Sequence, residues 1–387
     1  MQAADPAAPP GGAERVPLLT IAREWGRIGC IGFGGPPAHI ALLRRLCVTE
    51  RGWITSEEFE DAIAVTNMLP GPASTQLAIW CAWKLRRRAG ALVGALGFIG
   101  PGLIVIIGLS AVFLATNPPR WVEGAAAGAG AVVPVVAVSA ALGLLPASWR
   151  RSGGPRWVAY AAAGALSAAL AGPWLVVVLL GCGAVEVGVR RRSGEGRVPP
   201  TSAVVLATAG GLGGLVWVAF KVGALSFGGG FVIIPLMQHD AVSRYHWMTG
   251  PQFVSAVALG QITPGPVVLT VAVVGYAAAG VGGAVLAAAV AFAPSIAMVL
   301  AGAPSFDRLR RQPDAQGFLA GTGPAAIGAI AGASIPLGTA IHEAWQLAVL
   351  AAAAVWLLAG RRSTVAALVG GGIIGVVAAA AGAPLPH

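Results

Sequence analysis

Charge is scarce in this chain. Asp, Glu, Lys and Arg make up 10% of its 387 residues, where a soluble domain carries roughly a quarter. That shortage excludes an ordinary water-soluble fold. Cysteine is scarce too. Cys30, Cys47, Cys81 and Cys182 show neither CxxC nor Cys/His ligand spacing, which argues against a disulfide framework or a metal site; they read as small apolar packing residues. The second half has only four acidic residues, Asp240, Asp307, Asp314 and Glu343, and they are dispersed. A membrane enzyme handling a phosphorylated lipid would need clustered carboxylates, so a non-enzyme without cofactor or metal is expected. Residues 1–17, "MQAADPAAPPGGAERVP", are Pro-rich and expected to be disordered. They lack the charged and then apolar regions of a cleaved signal peptide.

Apolar sequence is abundant instead. Runs 89–115, 157–185, 198–220, 245–306, 315–341 and 364–386 contain no charged residue, and about 20 apolar residues cross a bilayer. The expected class is an all-α polytopic membrane protein, with plentiful Gly and Ala for close helix packing. The net charge of +10 invites a nucleic-acid reading, but the basic residues sit in short clusters between apolar runs: 84–88, Arg150/Arg151/Arg156, 190–192, Arg308/Arg310/Arg311 and Arg361/Arg362. Such clusters orient a protein in the bilayer, so the partner is lipid and not nucleic acid.

The chain is written twice. Shifted by 194, Phe33-Gly34-Gly35 falls on Phe227-Gly228-Gly229, and Trp53, Thr55 and Phe59 fall on Trp247, Thr249 and Phe253. Pro70-Gly71-Pro72 falls on Pro264-Gly265-Pro266, and 14 of the 40 positions from 33 to 72 are identical. After a one-residue slip, Pro101 meets Pro294. Two repeats are expected, 18–197 and 198–387. Segment 84–88 carries four basic residues and its counterpart 278–282 none, whereas the next loop reverses the bias. Positive loops stay cytoplasmic, so the halves are expected as an inverted-topology repeat. About ten transmembrane helices follow, ten to twelve with re-entrant or broken segments. An odd number of crossings is expected before residue 84, with the N-terminus outside.

Each PGP ends one helix and lets another begin. Proline lacks an N–H and clashes with the preceding turn, and the restarted helix offers free N–H groups to an anion. Inverted-repeat transporters place substrate at such broken helices near the midplane. Phe33, Gly34, Gly35, Pro70, Gly71, Pro72, Phe227, Gly228, Gly229, Pro264, Gly265 and Pro266 are therefore candidate substrate-binding residues; kinks and packing contacts are the alternative. Two polar pairs survive the shift. Arg27 aligns with Lys221, the only charged residue between Arg197 and Asp240, and Asn67 aligns with Gln261. The basic pair would supply charge to an anion or snorkel to the headgroups, and the amides would touch substrate or bond the broken backbone. His39, Glu58 and Asp61 are additional candidates. Thr55 with Glu58 also spells a capping box.

"FGGPPAHI" (33–40), Trp53, "LPGP" (69–72) and "GALGFIGP" (94–101) resemble the chromate ion transporter family, in its long two-domain form. The second copy departs, with "FGGGFVIIP" and "ITPGP", as the divergent second half of that form would. The resemblance implies export of chromate across the cytoplasmic membrane, driven by the proton-motive force and conferring chromate resistance. A sulfate- or molybdate-type oxyanion carrier and a passive anion channel remain alternatives, and a homodimer is left open.

Overall fold

Proline and glycine set where the helices stop. The computed structural model describes residues 16–67, 69–170, 174–192, 211–226, 232–303, 312–360 and 362–386. Helix α1 (Leu18–Ile31) stops at Gly32, and α2 (Pro36–Arg44) begins on two prolines before running into a π-helical turn, Arg45–Glu50. Proline suits a first helical turn, where its missing N–H costs nothing. Helix α3 (Ser56–Thr66) opens on the expected capping box of Thr55 and Glu58. After the PGP, α4 (Ala73–Phe113) starts at once. Helices α5 (Arg120–Ser152), α6 (Pro155–Leu170) and α7 (Leu175–Arg192) complete the first half.

The second half follows the same order. Helix α8 (Leu212–Leu225) is followed by α9 (Ile233–Gln238) and a π-helical turn, His239–Arg244. Helix α10 (Gly250–Ile262) opens on a second capping box, Thr249 with Gln252. A 3-10 turn, Val267–Leu269, precedes α11 (Thr270–Gly302). Then come α12 (Pro313–Gly338), α13 (Ala344–Ala354) with a π-helical turn (Val355–Ala359), and α14 (Thr364–Ala380). Phe227, Gly228 and Gly229 of the second FGG motif lie outside the described residues, as do the arginines at 308–311 and Arg361.

Helices α4 and α11 are folded back on themselves. In a straight helix Ala82 and Gly94 would stand about 18 Å apart, yet Gly94 lies against Ala82 and Gly275 lies against Gly283. The reversals sit at Arg86 and Arg87 (φ −141° and +51°) and at Ala279 and Gly280 (φ −154° and +60°). The two breaks are 193 residues apart, so the slip in the repeat falls between the PGP and this reversal. The first arm of α4, residues 73–85, is about 20 Å long at 1.5 Å per residue. It falls short of the roughly 30 Å hydrocarbon core of a bilayer.

The segments before this tip also double back. Lys84 Nζ meets Glu58 Oε1 at 2.8 Å, so α3 starts beside the tip, descends to the PGP, and α4 returns. Arg86 donates to the Val16 carbonyl at 3.3 Å, so α1 starts at the same end. After α1, the chain turns at the FGG and comes back, pairing Arg51 with Glu24 at 2.8 Å and stacking Trp53 on Trp25. The first half therefore opens with two helical hairpins, turned at FGG and at PGP. The expected odd number of crossings before residue 84, and an N-terminus opposite the basic tip, give way to this geometry. Hydropathy alone could not reveal it, because a re-entrant pair and a full crossing bury similar apolar runs.

Beyond the tips, each half grips the other. Helix α5 packs on α13 and α14, and its counterpart α12 packs on α6 and α7. Gly328 faces Ala161 and Gly332 faces Ala165, which sets α6 parallel to α12. Gly317 faces Val187 and Gly321 faces Cys182, which sets α7 antiparallel to α12. Phe59 and Phe253, equivalent under the repeat, are fully buried in one continuous apolar core. Among the described residues, four helical segments are long and apolar enough to cross a membrane: Ala73–Phe113, Arg120–Arg150, Val267–Gly302 and Pro313–Gly338. Two of the four are the folded hairpins.

Candidate functional site

The two PGP turns meet the opposite halves of the chain. Gly71 (φ +113°) and Gly265 (φ +103°) both hold a positive φ, which L side chains disfavour. The first turn faces Ser295 on α11 and the Gly223 carbonyl on α8; the second packs its Pro264 carbonyl on Gly102 of α4. Gly102 and Ser295 are themselves equivalent, 193 apart. The Gly265 N–H donates to the Gly32 carbonyl at 3.0 Å, joining the second PGP to the end of α1.

His39 reinforces this junction. It is fully buried, with Nε2 2.9 Å from the Gly32 carbonyl and Nδ1 3.2 Å from Ser74 Oγ. A carbonyl only accepts, so Nε2 carries a proton, and in the neutral ring Nδ1 accepts from the Ser74 hydroxyl. The Phe98 ring stands edge-on at 5.0 Å. His39 thus ties the FGG turn to the first turn of α4.

Helix α4 restarts without a side-chain cap. Pro72 precedes it, and the Thr75 and Gln76 amides both bond the Pro72 carbonyl at 3.0 Å. The amides of Ala73 and Ser74 have no acceptor within the helix, as at any helix start. Around the two breaks, several buried side-chain atoms lack a partner: Thr75 Oγ1, Gln76 Oε1, Ser226 Oγ and Gln261 Nε2. Among the described residues only two further such atoms occur, on Ser167 and Tyr245. Buried polar groups are nearly always hydrogen-bonded, and these four find no partner within the protein.

The expected site residues divide into those at this junction and those away from it. Gly71, Pro72, Pro264, Gly265 and Pro266 are buried and Pro70 half-buried at the turns; Gly35 is half-buried, 3.8 Å from Val267 if given a Cβ. Phe33 and Gly34 are exposed, and the amide pair is uneven, with Gln261 buried and Asn67 exposed. The basic pair points elsewhere. Arg27 is about half exposed and pairs with Glu24 at 3.2 Å and Glu50 at 3.9 Å. Lys221 is mostly buried and pairs with the buried Asp240. Each cation is therefore already met by carboxylate. Glu58 sits at the hairpin tip. Burial pushes its carboxyl up, but Lys84 and the Thr55 cap outweigh that and hold it below its ordinary pKa. Asp61 lies partly buried one turn further along α3.

Gln76, Ser295 and Asp240 were not singled out from sequence. Gln76 falls on Thr270 under the shift, so a search for matched residue types passes over it. Asp240 sits 19 residues from Lys221, across the second FGG motif, and only the fold brings them together.

A sequence profile described as chromate transporter matches residues 19–187 and 213–376. The chain is 32% identical over 346 residues to the chromate transport protein of Cupriavidus metallidurans, covering 86% of this chain and 85% of that one. It is 29% identical to the probable chromate transport protein of Synechococcus elongatus, covering 84% and 86%. It is 28% identical to the chromate transport protein of Pseudomonas aeruginosa, covering 82% and 80%. No solved structure matches. The two matched stretches each hold one FGG and one PGP, and the chain belongs to the chromate transporter family.

Proposed function

We propose that the protein is a secondary carrier that exports chromate across the cytoplasmic membrane, coupled to the proton-motive force, and so confers chromate resistance. The observation that carries this reading is the meeting of two proline-broken helices, one from each repeat, around unpartnered buried polar atoms. Restarted helix N-termini suit an anion without a bare cation in the core, and relatives over most of the chain are named for chromate transport. Both turns come from one chain, so the reading needs no second copy. Measuring radiolabelled chromate flux into inverted vesicles tests it. Accumulation against a gradient, abolished by a protonophore, is expected; flux that only equilibrates would make the protein a channel.

The repeats, 18–197 and 198–387, are read as inverted. Helix α6 turns back on α5, with Trp157 Nε1 reaching Ser148 Oγ at 2.9 Å across the connection. Because α6 runs parallel to α12, α12 runs opposite to its counterpart α5. The swapped basic residues at the two hairpin tips support the same arrangement. On a background without native cysteines, a cysteine at Arg87 is expected to resist an impermeant thiol reagent in intact cells, and one at Gly280 to react. Equal labelling of both from outside would mean parallel repeats.

A further inference from the structure

Gln76 has a buried amide whose two ends are treated differently. Its Nε2 donates to the Pro70 carbonyl at 2.6 Å and faces Ser295 Oγ at 3.5 Å. Because a carbonyl only accepts, that bond fixes the nitrogen toward Pro70 and leaves Oε1 on the other side. The residue is fully buried, and Oε1 has no partner. This acceptor belongs to the first turn of α4, beside the PGP and the free amides of Ala73 and Ser74. A fully ionised oxyanion offers only acceptors. It would satisfy the helix amides and leave Gln76 Oε1 without a partner, facing negative charge. An oxyanion with one proton satisfies both, through its oxygens and its O–H.

The charge balance points the same way. Lys221 is met by Asp240, and Arg27 by Glu24 and Glu50, which Arg51 and Arg45 share. The other cations on α1 and α4 lie away from the turn, Arg23 exposed and Arg86, Arg87 and Arg88 at the hairpin tip with Lys84. His39 on α2 spends its Nε2 proton on the Gly32 carbonyl and its Nδ1 on Ser74 Oγ, and Glu58 on α3 lies at the far end beside Lys84. Among the described residues no unpaired positive charge stands at the turn, and there a monoanion is much cheaper to desolvate than a dianion.

We propose that the site selects the singly protonated oxyanion, with Gln76 Oε1 accepting its O–H. This rests on the carrier reading and sharpens it, because the chromate dianion takes up its first proton near neutral pH and the sulfate dianion only in strong acid. A site built to bond a substrate hydroxyl rejects the analogue without one, since its buried acceptor is left unpaired. Chromate and sulfate, alike in shape and full charge, then become distinguishable.

The test is equilibrium binding of radiolabelled chromate to the purified full-length protein, over two pH units above neutrality, with sulfate as competitor. Chromate affinity, counted per total chromate, is expected to weaken about tenfold per pH unit as the protonated form disappears. Sulfate should compete at least ~100-fold less well. Its own charge is constant over this range, so any pH dependence of its competition reports protein groups alone and is subtracted. Gln76→Met, close in volume and without the amide oxygen, should narrow the chromate–sulfate gap to within about tenfold. Flat chromate affinity, or sulfate competing equally in the wild-type protein, overturns the proposal while leaving an oxyanion carrier in place. Unchanged discrimination in folded Gln76→Met assigns the amide oxygen to a resident water and overturns its role. Chromate binding absent at every pH overturns the carrier reading itself. The wild-type series decides the matter even if Gln76→Met does not fold.

Discussion

Gly71→Ala is expected to reduce chromate transport at least ~100-fold, and Gly265→Ala about tenfold. Both glycines hold a backbone that costs other residues about 1–3 kcal/mol, so each substitution starts from a penalty near one decade. The surroundings then separate them. A Cβ on Gly71 would stand 2.6 Å from Ser295 Oγ and 2.7 Å from Gln76 Nε2. These atoms cannot both withdraw without breaking the bond from Gln76 to Pro70. A Cβ on Gly265 would meet nothing closer than Leu269 Cδ1 at 3.5 Å. Leucine at either position adds bulk at the turn and should abolish transport. The measurement is initial flux in vesicles, normalised to membrane-inserted protein. Equal loss in both alanine variants would show that strain alone matters and that the Gly71 contacts are dispensable. Failure of both to reach the membrane would make the turns structural.

Much of this arrangement is legible in the sequence, because the features involved are local or repeated. The capping boxes at Thr55 and Thr249 are four-residue patterns with one geometry, and the PGP turns stop and restart helices through proline's own covalent structure. The offset of 194 tells which turns correspond. The paths between them are harder to read. Nothing in an apolar run distinguishes a helix that crosses from one that turns back at mid-depth. The turning back shows only in contacts, Glu58 with Lys84 and Arg86 with Val16, between residues 26 and 70 positions apart. At the first tip, the run of basic residues reads as a loop, yet helix continues on both sides of Arg86 and Arg87. The second copy has Gly280 where the first has Arg87, and only the backbone angles reveal that they are the same turn. Charge is the least legible feature. Alignment pairs Arg27 with Lys221 as two cations, but folding gives each a carboxylate that the alignment does not pair.

That compensation makes the ion pair of Lys221 and Asp240 a sharp test of what a buried charge is for. Both side chains are largely removed from solvent, with 14% and 4% of their surface exposed. Removing one partner leaves the other charge buried alone, which typically costs about 3–5 kcal/mol. Lys221→Gln and Asp240→Asn are each expected to lower thermal stability and membrane yield sharply. Replacing a buried pair with apolar residues of similar size is often neutral or stabilising. Lys221→Met with Asp240→Leu should therefore recover stability to within about 1 kcal/mol of the wild-type protein. The double variant then separates two roles that the single variants confuse. If Lys221 only neutralises Asp240 and holds α8 to the returning chain, the double variant keeps chromate affinity within about threefold. If Lys221 turns from Asp240 to the substrate, affinity falls at least tenfold in a protein that is otherwise stable. The first outcome is expected, because the pair is closed and the unpartnered polar atoms lie at the helix breaks. The second would move the anion toward α8 and give the aligned Arg27 a matching role. Thermal unfolding and chromate binding on the same purified samples distinguish the two.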